Sequence, residues 1–217
     1  MRTLHVSIAF LATCLGARVH AQAPSDVLTV RRLPGNITLL LPSSWVPLSD
    51  TARVRIRRVT DTALEHSHDT LLQASLQNGK PMELLHETAP GQPDPSASFN
   101  AAASPGTTRG AWDAATPEQI TAALASLCGS VADMMGRLGA RVITCDPPRI
   151  DREAGGTIAI TRLVRSGPNK GVVTVWIAQF PANDVIYTLT LSAPQAQEER
   201  YQRLFQAIWR SVNIPKP

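Results

Sequence analysis

The side chains whose type and spacing could do chemistry are few. They are Cys128 and Cys145, the histidines of Glu65-His66-Ser67-His68-Asp69, His86, and the arginine run Arg53 to Arg58. The cysteines are too far apart for a Cys-x-x-Cys redox or metal pair, and no histidine cluster lies near them in sequence. A disulfide is the expected reading, with two separate buried thiols as the alternative. His66 and His68 cannot share a metal ion on a helix, where residues two apart point about 200° from each other. On a strand they would meet. No metal ligand is expected at either, nor at the isolated His86.

Hydrolytic signatures are absent. The sequence holds no Gly-x-Ser-x-Gly, Ser-x-x-Lys or His-Glu-x-x-His, and Cys128-Gly129-Ser130 falls within a predicted helix rather than on a nucleophile's sharp turn. Gly136-Arg137-Leu138-Gly139-Ala140-Arg141 follows a helix and precedes a strand, the reverse of a dinucleotide-binding order. No catalytic residue and no cofactor is therefore expected. Carboxylates that meet only on folding leave no trace in sequence, so a hydrolase assembled in three dimensions stands as an alternative, and a small-ligand carrier as another. Arg53 and Arg57 lie one helical turn apart, with Asp61 and Glu65 continuing the stripe. This reads as a solvated, ion-paired face more readily than as a docking patch. Arg109 and Trp112, in a Gly-containing loop, have the composition of a partner-binding hot spot. The plainer reading folds Trp112 back as a lid on the core. The Asn36-Ile37-Thr38 sequon adds nothing.

The elements that must position these residues can be read in order. Val27–Val30 and Ile37–Leu41 flank a Pro34-Gly35-Asn36 turn and predict two strands. From Asp50 to Gln77 the apolar spacing predicts a helix, with a strand over Arg53–Val59 as the competing pattern. Pro81–Pro90 and Ala97–Ser104 predict a strand pair, and Ser104–Pro117 a loop. Thr116, Pro117 and Gln119 form a capping-box signature that opens a helix whose face is Ile120, Leu124, Leu127, Val131, Met134 and Leu138, closing on Gly139. Along that helix from Cys128 the chain runs about 15 Å. The strand Ala140–Asp146 returns about 16 Å to Cys145, so an antiparallel packing would bring the two sulfurs level. After the loop Pro147–Gly156 come three strands, Thr157–Arg165, Val172–Phe180 and Val185–Ser192. In the last, Val185, Tyr187, Leu189 and Leu191 share one face while Thr188, Thr190 and Ser192 share the other. A closing helix gathers Tyr201, Leu204, Phe205, Ile208 and Val212 on one side. Hairpin-length connections demand antiparallel neighbours, so the fold class is α+β: a mainly antiparallel sheet covered by helices.

The N-terminus reads as a secretory leader. Arg2 precedes an apolar run, Val6–Leu15, too short for the roughly 20 residues that span a bilayer. Cleavage is expected after Ala21, with a cut after Ala23 less suited because Pro24 would follow. Lipidation at Cys14 is disfavoured because the apolar run continues past it. Residues 22–217 then form one α+β domain, its net charge falling from +4 to +2 with the loss of Arg2 and Arg18. That charge is too small to argue for a nucleic-acid or membrane-surface partner, and none is expected.

The last third, Gly155–Pro194 with the helix ending Ile208-Trp209-Arg210-Ser211, resembles the PsbP-like superfamily. The carriers are its hairpin strands, Ser192-Ala193-Pro194 before the final helix, and Trp209-x-Ser211. Ile37–Trp45, with its Pro42-x-x-Trp45 end, is similar to that family's first strand pair. The resemblance implies an α/β/α sandwich and a role in binding macromolecules, and supplies no functional residue. The expectation is an exported, non-catalytic protein of the periplasm or exterior that binds another protein. If so, N-terminal sequencing of chain recovered from the periplasm begins at Gln22; recovery only of chain starting at Met1 would defeat the export reading.

Overall fold

The computed structural model describes residues 27–33, 36–47, 81–88, 95–105, 108–137, 139–152, 156–166, 171–182 and 185–214. The expected leader with Cys14, the helix expected over Asp50–Gln77 with its histidines and arginine run, and the side chain of His86 lie outside them.

Strands β1 (Leu28–Arg32) and β2 (Thr38–Pro42) form an antiparallel hairpin. Asn36 takes the left-handed conformation at its turn, at φ 61°, one that asparagine tolerates better than most residues. Two-residue β3 (Val46–Pro47), β4 (Pro81–Thr88) and β5 (Pro95–Pro105) begin the main sheet. It continues through β6 (Val142–Cys145), β7 (Arg149–Asp151), β8 (Ile158–Ser166), β9 (Val172–Ala182) and β10 (Val185–Pro194). The strand order is β3-β4-β5-β10-β9-β8, and both β6 and β7 pair with the far side of β8. Every pairing is antiparallel, as the short connections demanded.

Helix α4 (Glu198–Arg210) packs on β2, β9 and β10. Its Tyr201, Phe205, Ile208 and Trp209 enter the main core, beside Trp45, Phe99, Trp176, Phe180, Leu189 and Leu191. Phe205 meets the Trp209 ring edge-on at 5.0 Å between centroids, a favoured aromatic geometry. The hairpin joins this layer: the Leu40 amide donates to Ser211 Oγ at 2.8 Å, and Thr38 pairs with Asn213. The opposite face of the sheet carries two smaller clusters, one of Trp112, Ile120 and Ala159 and one of Leu163, Val175 and Ile177. The chain is thus layered on both faces, and the fold class matches the expectation.

Two helical segments differ from the sequence reading, and β7 forms within the expected loop Pro147–Gly156. The expected loop contains helix α1 (Arg109–Ala114), opened by Thr108, whose side chain accepts from the Ala111 amide. The helix expected to run unbroken from Pro117 divides into α2 (Pro117–Ala123) and α3 (Leu127–Arg137). At the join the Ala125 amide bonds to the Ala122 carbonyl and the Leu127 amide to that of Leu124, tight i−3 bonds that redirect the axis. The turn lets the halves serve different clusters: Ile120 on α2 joins Trp112, while Val131 on α3 packs against Leu163 and its neighbours. The caps stand as read. Thr116 and Gln119 complete the capping box, and Gly139, at φ 72°, ends α3. There the Gly139 amide bonds to Gly136 and that of Ala140 to Met135, the pattern of a Schellman motif.

Two substitutions separate these contributions. Phe205→Ala should lower the unfolding free energy by about 3–5 kcal/mol and Thr116→Ala by about 1 kcal/mol, measured by urea titration; near-equal losses would contradict the packing described.

Candidate functional site

Strand β7 lies at the sheet margin, and β8 is its one strand neighbour among the described residues. Arg149 and Asp151 stand opposite Ile160 and Ile158, which belong to the main core, whereas Ile150 stands opposite Ala159 of the Trp112 cluster. Period-two alternation therefore sends Arg149 and Asp151 to the α4 side and Ile150 to the other. Asp151 is a buried carboxylate, 8% exposed. Its Oδ2 accepts from Trp209 Nε1 at 3.2 Å and lies 3.9 Å from Arg210 Nε. A carboxylate so deeply placed needs such partners, because an unpaired buried charge is costly.

Around Asp151 the surface opens into a shallow depression of about 160 Å³ lined by Arg149, Ile150, Asp151, Arg152 and Arg210. All three arginines are exposed, yet each is positioned. Arg149 lies over the Trp209 ring, 5.9 Å from its centroid. Arg152 donates from Nη2 to the Ala115 carbonyl at 2.7 Å, at the C-terminal end of α1. Arg210, on the last turn of α4, faces Asp151. Three arginines thus line a recess whose one carboxylate is already engaged. Glu118 stands near enough to Arg152 to feel its charge. The recess is too small and too polar for a typical small-molecule pocket, and it presents donors rather than a nucleophile. Among the described residues no group of three or more His, Cys, Asp or Glu side chains could hold a metal ion.

The residues singled out from sequence lie elsewhere. Cys128 and Cys145 are bonded, with Sγ–Sγ 1.98 Å and Cα–Cα 6.0 Å. They join α3 to β6. The bond is well placed, because none of the described residues of α3 is fully buried. Trp112 is 6% exposed within its apolar cluster, so its ring is turned inward in this arrangement. Arg109 is half-buried: its Nε donates to Asp113 Oδ2 at 3.3 Å, and its guanidinium lies against Gly156. Asp113 in turn accepts from the Thr157 amide at 3.0 Å. Burial alone would raise the Asp113 carboxyl, but the Thr157 amide and hydroxyl and the Arg109 guanidinium outweigh it and hold it below its ordinary value. This is a clamp between α1 and the start of β8.

Sequence reasoning missed Arg149, Arg152 and Arg210. Arg149-Ile150-Asp151-Arg152 falls in the expected loop Pro147–Gly156, and Arg210 lies off the apolar face of the closing helix. The available signal was a period-two pattern of charged residues around Ile150, too short to stand alone.

No family model matches the chain, and no curated protein does. Solved structures of PsbP-like form align with most of it. Cyanobacterial PsbP from Synechocystis sp. PCC 6803 matches with a TM-score of 0.49 at 10% identity, covering 93% of this chain and 99% of that one. The Ran-binding protein Mog1p of Saccharomyces cerevisiae matches at 0.43 and 11%, covering 88% and 96%. LpqN of Mycobacterium tuberculosis, described as involved in cell envelope biogenesis, matches at 0.43 and 16%, covering 87% and 91%. These are likenesses of chain path, and the site rests on its own residues.

Two measurements address the pairings. Thiol titration of chain 22–217, denatured without reduction, should find neither Cys128 nor Cys145 free. Replacing both by serine should cost about 3 kcal/mol for a loop of this size. For Asp113, a depressed carboxyl contributes stability above its unfolded value, and that contribution fades as pH falls through the folded value. Asp113→Asn should therefore flatten the acid limb of the stability curve below about pH 4; an unchanged limb would mean the clamp contributes nothing.

Proposed function

We propose that this chain is an exported, non-catalytic binding module that acts through protein–protein contact in the bacterial envelope or outside the cell. The observation that carries the reading is the arginine recess beside β7, where exposed cations are held in place before any partner arrives. Arginine is enriched at binding hot spots because its planar fork and apolar stem give much contact for little ordering cost once fixed. Trp209 and the Ala115 carbonyl supply that fixing here.

Export is supported by separate features. The leader pattern of residues 1–21 is one. The Cys128–Cys145 bond is another, since disulfides persist mainly in oxidising compartments. Among the described residues no helix is long and apolar enough to cross a membrane.

Cross-linking in the protein's own cells provides the test. Full-length chain carrying a C-terminal tag should be recovered from the envelope or medium joined to a discrete second protein. Recovery of the tagged chain solely as an uncross-linked monomer, from every compartment, would overturn the proposal.

A further inference from the structure

The recess also constrains what the partner must offer. We infer that it takes an acidic, extended peptide segment of the partner, whose Asp or Glu carboxylates are gripped by Arg149 and Arg152. This rests on the binding-module reading and deepens it.

The inference follows from how each guanidinium is used. Arginine carries five N–H donors in a rigid plane. Arg152 commits Nη2 to the Ala115 carbonyl, and the remaining donors of its fork have no acceptor among the described residues. Arg149 rests on the Trp209 ring, a contact that orients the plane while leaving its N–H edges without an acceptor among those residues. Asp151 sits between the two in sequence but is buried and engaged by Trp209 and Arg210, so it tempers the local charge without occupying the forks. Two oriented, donor-rich guanidiniums select planar acceptors with two oxygens, and a carboxylate meets each fork with paired bonds.

The shape of the surroundings selects an extended chain over a free small anion. The recess is open and shallow, so it cannot enclose a ligand, but it lies along the margin strand β7. A segment laid beside β7 can reach Arg149 and Arg152 with side chains three residues apart, which an extended chain presents on its two faces. The lining offers one apolar residue, the half-buried Ile150, and no exposed aromatic to enter a lipid headgroup layer or stack on bases. The modest net charge does not favour a polyanion such as nucleic acid.

The test uses residues 22–217 and a fluorescein-labelled dodecapeptide of repeated Glu-Ser-Ser, which places Glu on both faces of an extended chain, followed by fluorescence anisotropy. Saturable binding is expected, weakening as salt rises from about 50 to about 300 mM. Arg149→Glu with Arg152→Glu should raise Kd by roughly tenfold or more. Arg203→Glu, on the exposed face of α4 and away from the recess lining, should leave it unchanged. Thermal unfolding checks each variant; should the double reversal misfold, Arg149→Gln with Arg152→Gln carries the same comparison. Equal peptide binding by the double variant overturns the inference. So does sedimentation of the chain with phosphatidylglycerol vesicles, dependent on Arg149 and Arg152, in the absence of peptide binding. Cross-linking in cells separates this inference from the reading beneath it. If the double variant still captures the wild-type partner, the recess assignment fails and the binding module stands; if unaltered chain captures no partner and binds no peptide, both fail.

Discussion

Strands β8 and β9 are buried on both faces along most of their length, and a sheet in that position must be roofed twice. The main core supplies one roof through α4 and the β1–β2 hairpin, and α1, α2 and α3 supply the other. Burial on both sides leaves little room for unpaired polar groups. Some described polar groups there are engaged, while the buried indole N–H groups of Trp112 and Trp176 have no hydrogen-bond partner among the described residues. Thr174, fully buried, donates from Oγ1 to Glu198 Oε2 at 3.2 Å. Arg162 spans from Glu198, at 2.6 Å, to Asp146, at 3.2 Å. The same Glu198 lies in the first turn of α4, where a carboxylate also complements the helix dipole. The packing of α4 and the polar content of the sheet are thus settled by one set of contacts.

The two roofs are held by different means. The α4 layer is a continuous aromatic and aliphatic core, the form of burial that contributes most to stability per residue. The second layer is built of short helices over small clusters, which bury less. It is fastened instead by specific devices: the capping box of α2, the Asp113 clamp onto Thr157, and the Cys128–Cys145 bond from α3 to β6. β6 has an irregular register between Val142 and Thr144, and Ile143 there is 53% exposed. A bulged, four-residue margin is a poor template for further strand pairing. Attachment of α3 to it through a covalent bond gives both elements a fixed place.

The arginine recess follows from the same layering. β7 stands where the two roofs meet the sheet margin, and its alternation delivers Asp151 to the α4 side and Ile150 to the other. Trp209 belongs to the main core, yet its indole N–H needs an acceptor, and Asp151 is the acceptor available. Satisfying that buried pair draws Arg210 inward and provides the ring on which Arg149 rests. An exposed arginine recess has here been assembled as a by-product of hydrogen-bond satisfaction in the core.

Local rules in the sequence determined much of this protein. The capping box at Thr116, the stop at Gly139, the alternation of β10 and the apolar face of α4 each depend on neighbours within a few residues, so pattern alone locates them. The helix α1 was not legible, because its six residues hold a single buried anchor, Trp112, and too few positions to show a period. The break between α2 and α3 was hidden for the opposite reason: the apolar spacing continues unbroken through Leu124 and Leu127, and the turn is imposed by two separate clusters on the sheet. Only the tertiary structure could place Arg210 in the same recess as Arg149 and Arg152, since about sixty residues separate them in sequence and no periodicity links a helix end to a margin strand. The sequence sets which residues must be buried; which exposed charges become neighbours is decided by how the buried ones pack.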